Sequence, residues 1–223
     1  MIREIILDTE TTGLSVKDGH RIVEIGCIEL DNLVPTKNIF HCYLNPERKV
    51  SEKAFEVHGY SDQFLSDKKK FFEIADEFLN FIKDKKIIIH NAEFDISHLN
   101  NELSIAGKTE INKENTVDTL DLARNKFPGS GISLDALCKR FRIDNSKREK
   151  HTALIDCELL AKVYINLLDQ KEPKLNFSNS VDINSIETQN KNITYSKKIV
   201  YPTSEELEQH REFLKRDLKK NFY

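Results

Sequence analysis

The sequence has few cysteines, little net charge and no long apolar run, and each shortage excludes a class of protein. The four cysteines, Cys27, Cys42, Cys138 and Cys157, include no Cys-x-x-Cys pair, so neither a zinc ribbon nor a disulfide framework is indicated. The formal net charge of -3 excludes binding of nucleic acid by bulk positive charge, so a phosphate partner must be held locally or through metal ions. No apolar run approaches the roughly 18 residues that span a membrane, and no apolar signal region is present. We therefore expect a protein of the reducing cytoplasm that does not contact a membrane.

The remaining composition is that of a globular protein, with 39% hydrophobic and 32% charged residues among 223. Such a chain can form one well-packed domain plus an appendage. Apolar periodicity predicts strands near 3–10, 21–30, 39–44, 86–90 and 116–119, and helices at 71–82, 94–106, 133–141 and 152–168. The three early strands predict an antiparallel meander, and the later alternation predicts an α/β fold with a mixed sheet covered by helices.

The composition changes near residue 169. Nine of the 28 residues in 171–198 are Asn or Ser, which indicates a flexible linker that is too poor in apolar groups to form a core. Beyond it, 203–206 matches a helix capping box, and an apolar stripe follows at helical spacing: Leu207, Leu214, Leu218 and Phe222. A single amphipathic helix of this length needs a surface to dock on. That surface belongs to this chain or to another protein, and the linker favours another protein.

Asp8 and Glu10 end the first predicted strand. Side chains two apart on a strand point to the same face, so their Cα atoms lie about 6.5–7 Å apart. Two carboxylates this close repel each other, and a cation between them would relieve the repulsion. The alternative from this stretch alone is a solvated acidic turn.

Two later stretches add similar side chains. Asp95 follows the strand at 86–90, and Asp156 lies near the start of the last helix of the predicted domain. Positions five apart lie roughly 140° apart around a helix, so His151 and Asp156 cannot share a helix face, and His151 belongs in the preceding loop with Thr152 as N-cap. Four carboxylates without sulfur ligands favour hard cations such as Mg²⁺ or Mn²⁺.

Three motifs now stand in order: Asp-x-Glu at 8–10, His-Asn-x-x-Phe-Asp at 90–95, and His-x-x-x-x-Asp at 151–156. In this order they resemble the DEDDh family of 3′–5′ exonucleases. The runs at 133–148 and 200–207 further resemble the proofreading exonucleases of bacterial replicative polymerases. The resemblance implies a ribonuclease-H-like fold, a five-stranded mixed sheet with helices on both faces. It also implies an exonuclease domain at 1–169, a linker at 170–198 and a polymerase-binding segment at 199–223.

The resemblance assigns roles to individual side chains. The metal ligands fall on Asp8, Glu10, Asp95 and Asp156, which would hold two divalent cations, and the general base falls on His151. Two cations can activate a water and stabilise the leaving 3′ oxygen, and a histidine can accept the water's proton near neutral pH. The expected product is a 5′-mononucleotide.

Further residues match positions near the terminal nucleotide. Besides Asp8, Glu10 and Asp156, the expected substrate contacts are Thr11, Leu14, His58, His90, Asn91 and Phe94. His58 and His90 fit a hydrogen-bonded structural role equally well, and Leu14 and Phe94 could be core residues. A structural role is expected for the remaining histidines, His20, His41, His98 and His210.

Two other segments have open interpretations. The basic segment 139–150 runs directly into His151, and it is either a phosphate contact or a solvated loop. The segment 172–177 lies where related proofreading subunits carry a peptide that binds the sliding clamp. Glu172 replaces the glutamine expected there, so the alternative is a stray apolar pair in a linker.

The predicted function is removal of mispaired nucleotides from a DNA 3′ end, in a replisome associated with the nucleoid. The predicted partner is the polymerase catalytic (alpha) subunit, bound through 199–223. A free-standing exoribonuclease would use the same catalytic residues, but it would have no use for a tethered docking helix. A non-catalytic module is the second alternative, and the five filled catalytic positions argue against it.

Overall fold

A computed structural model describes residues 3–146, 148, 150–169 and 201–217, with side chains as far as 214 in the last of these ranges. The chain divides into two compact units, Met1–Leu175 and Asn176–Tyr223. The predicted linker at 170–198 and the predicted clamp-binding segment at 172–177 lie outside the described residues.

The first unit contains one five-stranded sheet. Its strands are β1 (Arg3–Thr11), β2 (Ile22–Asp31), β3 (Val34–Tyr43), β4 (Lys86–Ile89) and β5 (Thr116–Asp118). The spatial order is β3-β2-β1-β4-β5. The β1–β2 and β2–β3 pairs are antiparallel, whereas β1–β4 and β4–β5 are parallel. The predicted meander and the predicted mixed sheet are therefore confirmed.

The third strand begins earlier than predicted, at Val34 instead of residue 39. Asn32 and Leu33 both have positive φ, of 50° and 68°, and they form a two-residue turn that pairs Asp31 directly with Val34. Turns of this kind match the twist of a hairpin but normally use Asn or Gly at both positions. Because Leu33 is neither, the sequence does not reveal the turn.

Eight α-helices are described. They are α1 (Glu52–His58), α2 (Asp62–Leu65), α3 (Phe71–Ile82), α4 (Ala92–Ile105), α5 (Thr119–Lys126), α6 (Leu134–Phe141), α7 (Ala153–Leu167) and α8 (Ser204–Asp217). The short helices α1, α2 and α5 were not predicted. Their N-caps, Ser51, Ser61 and Asp118, each accept a hydrogen bond from a backbone N–H in the first turn.

The apolar side chains of the sheet alternate between two cores. Ile5 and Leu7 face one layer, which includes Phe78 of α3 and Leu99 of α4, whereas Ile6 faces the other. The second layer is built from α5, α6 and α7. Because residues along β1 alternate in this way, its C-terminal end lies between α4 on one face and α7 on the other.

The second unit contains α8. Its capping box is formed as predicted: the Glu206 backbone N–H donates to Thr203 Oγ1, and the Thr203 backbone N–H donates to Glu206 Oε2 at 2.8 Å. Leu207 and Phe213 are exposed, and the last two members of the predicted stripe, Leu218 and Phe222, lie outside the described residues. Among the helices of the described ranges, none is long and apolar enough to cross a membrane.

Candidate active site

The C-terminal end of β1 opens into an acidic cleft of about 480 Å³. All five expected catalytic positions line this cleft: Asp8, Glu10, Asp95, His151 and Asp156. Burial disfavours a charged carboxylate and raises the pKa of Asp8, and the nearby Asp95 and Glu10 raise it further. Burial likewise raises the pKa of Glu10 to about 8, with a smaller contribution from Asp156.

Thr9, which lies between Asp8 and Glu10 on β1, holds the side chain of Asp95 in place. It lies in the first turn of α4, and its Oδ1 accepts hydrogen bonds from the Thr9 backbone N–H at 3.1 Å and from Thr9 Oγ1 at 2.7 Å. The carboxylate is 3% exposed. Burial raises the pKa of Asp95 to about 7, although the Thr9 hydrogen bonds work in the opposite direction. One strand residue therefore fixes the helix carboxylate beside those of the strand.

Asp156 is paired with an arginine that the sequence interpretation did not single out. Arg148 Nε and Nη2 each donate to an oxygen of Asp156 at 2.6 Å, while Arg148 Nη1 lies 2.7 Å from Asp135 Oδ2. Burial raises the pKa of Asp156, but hydrogen bonds from His151 and Arg148 outweigh it and hold the pKa below its ordinary value. The basic segment at 139–150 was a general signal for this residue, yet nothing in its spacing distinguishes Arg148 from its neighbours.

His151 lies in the loop before α7, as predicted, and Thr152 is the N-cap of that helix. The backbone N–H of His151 donates to the Val57 carbonyl at 3.2 Å, and its Nδ1 lies 2.9 Å from Arg148 Nη2. The same Nδ1 lies 3.5 Å from Asp156 Oδ2, so it donates to Asp156 when it carries a proton and accepts from Arg148 when it does not.

The side chains of Glu10, His151 and Asp156 are close enough to share one ion. One ligand atom from each lies within 4.8 Å of the others. Asp8 and Asp95 add two further carboxylates to the same cleft. Hard divalent cations prefer oxygen ligands, and a bound cation would relieve the repulsion between these crowded carboxylates. The residues therefore fit the expected metal chemistry.

A second, more apolar cleft of about 500 Å³ adjoins the acidic one. The two share Thr9, Glu10 and Phe94, so a ligand in the apolar cleft also reaches the carboxylates. Leu14 is 82% exposed at the edge of the apolar cleft, which makes it a surface residue and not a core residue. Phe94 is half-buried, and its ring lies 4.6 Å from that of His98.

Thr11 and His58 line the same apolar cleft and contact each other. His58 Nε2 donates to the Thr11 carbonyl at 3.3 Å, and His58 Nδ1 accepts from the Tyr60 backbone N–H at 3.0 Å. These contacts define a neutral imidazole with its proton on Nε2, and burial lowers the pKa of His58. His20 was expected to be structural, yet it also lines this cleft.

His90 and Asn91 line the acidic cleft. His90 Nδ1 lies 2.9 Å from Thr119 Oγ1, and burial lowers the pKa of His90. Asn91 has a positive φ of 72°, and its backbone N–H donates to Asp118 Oδ1 at 3.0 Å. The Asn91 side chain is exposed in the cleft, where it is free of any capping role toward α4.

A mixed sheet with four carboxylates and a histidine at the end of its central strand defines an exonuclease of the ribonuclease-H-like class. The exonuclease family model matches residues 5–164. By structure, the chain is similar to exonuclease X in complex with 5′-overhanging duplex DNA, with a TM-score of 0.58 and 26% identity over 77% of this chain and 93% of that one. It is also similar to the nuclease domain of 3′hExo, a DEDDh family member bound to rAMP, with a TM-score of 0.66 and 17% identity over 76% and 92% of the two chains.

By sequence, the chain is 51% identical to DNA polymerase III subunit epsilon of Rickettsia conorii, over 98% of this chain and 97% of the relative. The chain belongs to the family of DNA polymerase III epsilon subunits. It is a 3′–5′ exonuclease, and the similarity supports a proofreading enzyme over a free-standing exoribonuclease.

Proposed function

We propose that this exonuclease acts as the proofreading subunit of a replicative DNA polymerase and removes mispaired nucleotides from the primer 3′ end. The observation that supports this most is the 51% identity to an epsilon subunit over almost the whole chain, which extends past the nuclease domain. The similarity to exonuclease X, whose structure contains duplex DNA, supports DNA as the substrate. Mispaired ends enter a site for single strands more readily because unpairing them costs less.

The acidic cleft is the proposed metal centre. Asp8, Glu10, Asp95 and Asp156 would hold two divalent cations, Mg²⁺ or Mn²⁺. When bound, such a pair supplies an activated water and stabilises the leaving 3′ oxygen. The raised pKa values of Asp8, Glu10 and Asp95 support this assignment, because carboxylates crowded together in a buried site are stabilised by nearby positive charge.

The apolar cleft would bind the terminal nucleoside, and the reaction would take place in the acidic cleft. The terminal nucleoside would lie in the apolar cleft between Leu14 and Phe94, with His58 behind it. Because Glu10 lines both clefts, this position brings the scissile phosphate beside the carboxylates. His151 would accept a proton from the attacking water. The new P–O bond replaces the bond to the 3′ oxygen, so the products are a 5′-mononucleotide and a strand one residue shorter.

The partners are assigned by segment. The polymerase catalytic (alpha) subunit would bind 199–223, where α8 presents the exposed apolar side chains of Leu207 and Phe213. The segment 172–177 is the proposed, weaker contact with the sliding clamp. A subunit with these contacts works in the cytoplasm at the nucleoid.

The first test is release of mononucleotides from a 3′-mispaired primer in Mg²⁺ or Mn²⁺. Wild-type protein should release them, His151→Ala should lose at least about 100-fold in rate because general acid–base catalysis contributes that much, and His210→Ala should match wild type. Activity on RNA oligomers but not on the primer would contradict the proposal, as would equal rates for His151→Ala and wild type.

The second test removes 199–223. The truncated protein should keep its exonuclease activity and lose association with the polymerase catalytic subunit in gel filtration. If association survives the truncation, the assignment of this segment is wrong.

A further inference from the structure

Glu24 is a fully buried carboxylate that lies outside the set of proposed metal ligands. It is on β2, where it pairs in register with Glu10 of β1, and its exposed fraction is 0%. It accepts three hydrogen bonds: from His41 Nε2 at 2.7 Å, from the Tyr60 hydroxyl at 2.8 Å and from the Ala153 backbone N–H at 2.9 Å. The donors come from β3, from the connection between α1 and α2, and from the first residue of α7. A buried charge with three such partners ties these elements together.

One arm of this network ends at the apolar cleft. The ring of Tyr60 stacks on that of His58 with 4.8 Å between centroids, and His58 in turn donates to the carbonyl of Thr11. Burial and the neighbouring Glu24 carboxylate raise the pKa of Tyr60, so the hydroxyl remains a donor. Glu24 therefore fixes the position of Tyr60, and Tyr60 in turn fixes the ring of His58.

The other arm ends at the catalytic histidine. Ala153 begins α7, two residues after His151, and Glu24 accepts its N–H where a helix N-terminus favours negative charge. Gly26, two residues along β2, lets the helix come this close, because a Cβ at that position would lie 2.6 Å from the Ala153 carbonyl carbon. Glu24 and Gly26 together therefore fix the position of the first turn of α7 against β2.

The two arms also meet directly at the end of α1. His151 donates its backbone N–H to Val57, which lines the apolar cleft, and Lys150 Nζ donates to the Glu56 carbonyl at 2.7 Å. A displacement of α1 is therefore transmitted to the loop that carries His151.

We infer that Glu24 is a positioning residue that joins the wall of the nucleotide cleft to the start of α7, so that seating of the 3′-terminal nucleotide and placement of His151 are coupled. This inference rests on the proposed function of the two clefts. Misplacement of a catalytic group by about 1 Å can lower a rate about 100-fold, so the coupling is large enough to measure.

The test compares Glu24→Ala with the isosteric Glu24→Gln. The amide oxygen of glutamine can accept from Tyr60 and Ala153 while its NH₂ group donates to His41 Nε2, so only the alanine variant loses the network. At saturating Mg²⁺ we expect Glu24→Ala to lower kcat about 10- to 100-fold and Glu24→Gln to stay within about threefold of wild type. Tyr60→Phe, which removes one hydrogen bond and keeps the stacked ring, should fall between them, and it serves in place of the alanine variant if that one does not fold.

The matched control is Glu4→Ala. Glu4 is a buried carboxylate of β1 that accepts from the Tyr164 hydroxyl at 2.9 Å, so it ties the other end of α7 to the same sheet. This variant should lower the melting temperature and leave kcat near that of wild type.

Amide hydrogen exchange over 150–156 measures the coupling between nucleotide binding and the placement of His151, with thymidine 5′-monophosphate and Mg²⁺ as the probe. Addition of the nucleotide should slow exchange in wild type and in Glu24→Gln, but not in Glu24→Ala. The inference is overturned if Glu24→Ala keeps the wild-type kcat, if Glu24→Gln falls as far as Glu24→Ala, or if Glu4→Ala loses as much kcat as Glu24→Ala. A wild-type protein that protects 150–156 but does not degrade DNA would reject the proposed function and leave the coupling standing.

Discussion

Arg148 donates from Nε and from Nη2 to the two carboxylate oxygens of Asp156, at 2.6 Å each. The side chains of the pair are 7% and 6% exposed, and Asp135 contacts the third guanidinium nitrogen. Asp156 is also a proposed metal ligand, so a divalent cation and Arg148 compete for the same oxygens. Arg148 therefore balances the charge of the acidic cleft when no cation is bound.

We expect Arg148→Gln to bind Mg²⁺ more tightly. A hydrogen bond to a charged group contributes roughly 1.5–3 kcal/mol, so loss of the competing guanidinium should raise affinity about 10-fold or more. Titration calorimetry at pH 8 measures this. The exposed Lys139→Gln, from the same basic segment, is the matched control, and an affinity for Arg148→Gln at or below that of wild type would refute the competition.

We expect the stabilisation by Mg²⁺ to grow with pH. Glu10 and Asp95 have raised pKa values of about 8 and about 7, so their contribution to stability is complete below about pH 4 and is lost as pH rises through 7 to 8. The lowered pKa of Asp156 acts oppositely, since its contribution is lost as pH falls below about 4. Bound cations remove the repulsion between ionised carboxylates, so the rise in melting temperature with Mg²⁺ over EDTA should be small at pH 5 and large at pH 8.5. An equal rise at both pH values would be inconsistent with these shifts.

Thr9→Val should reduce activity while the fold is kept. The substitution removes the Oγ1 donor to Asp95 and leaves the backbone donor in place. The pKa of Asp95 then rises further, and its carboxylate binds cations less well at neutral pH. We expect kcat/KM at limiting Mg²⁺ to fall roughly 10-fold, from the loss of one hydrogen bond to a charged group. Thr36→Val, which removes a similar contact to Glu29 elsewhere on the sheet, should leave kcat/KM unchanged.

Gly26→Ala should displace the start of α7. The new Cβ would lie within 2.6–2.8 Å of backbone atoms of Ala153 and Leu154, and these atoms cannot move without moving the helix. Overpacking of this kind destabilises by about 1–3 kcal/mol, and a large loss of kcat should accompany it because His151 and Asp156 flank the contact. Gly131→Ala is the control, since its Cβ meets only Ala136 Cβ at 3.4 Å. Urea unfolding and primer degradation measure the two effects, and similar results for both variants would contradict the close approach.

Leu14→Asp should weaken substrate binding without a loss of stability. Leu14 is largely exposed in the free protein, so its replacement removes no core contact. Full burial of a leucine side chain contributes about 1.5–3 kcal/mol, so loss of most of this contact with the nucleoside predicts a KM about 10-fold higher. Steady-state degradation of a single-stranded oligonucleotide gives the KM. An unchanged KM would place the nucleoside elsewhere.

Much of the fold could be predicted because its signals are local. Alternating apolar residues predicted β1 and β2, and helical periodicity predicted α3 and α7. The end of the nuclease domain near residue 169, where the composition changes, stays a prediction. Helices α1 and α2 were missed because seven and four residues carry too little periodicity to stand out from loops, and α5 was missed because its buried residues, Thr119 and Ala123, form no strongly apolar stripe. The early start of β3 was missed because its turn places a leucine at positive φ.

The sequence by itself determined which side chains are proposed to carry the chemistry: Asp8 and Glu10 share a strand end, and the loop position of His151 follows from helix geometry. Only the tertiary structure decided that Arg148, rather than another cation of its segment, pairs with Asp156. The same is true of Glu24, which reaches Ala153 across 129 residues of chain. Periodicity records which face of an element is buried, but a hydrogen bond between distant elements depends on how those elements pack. That packing is set by the whole core, and no local pattern encodes it.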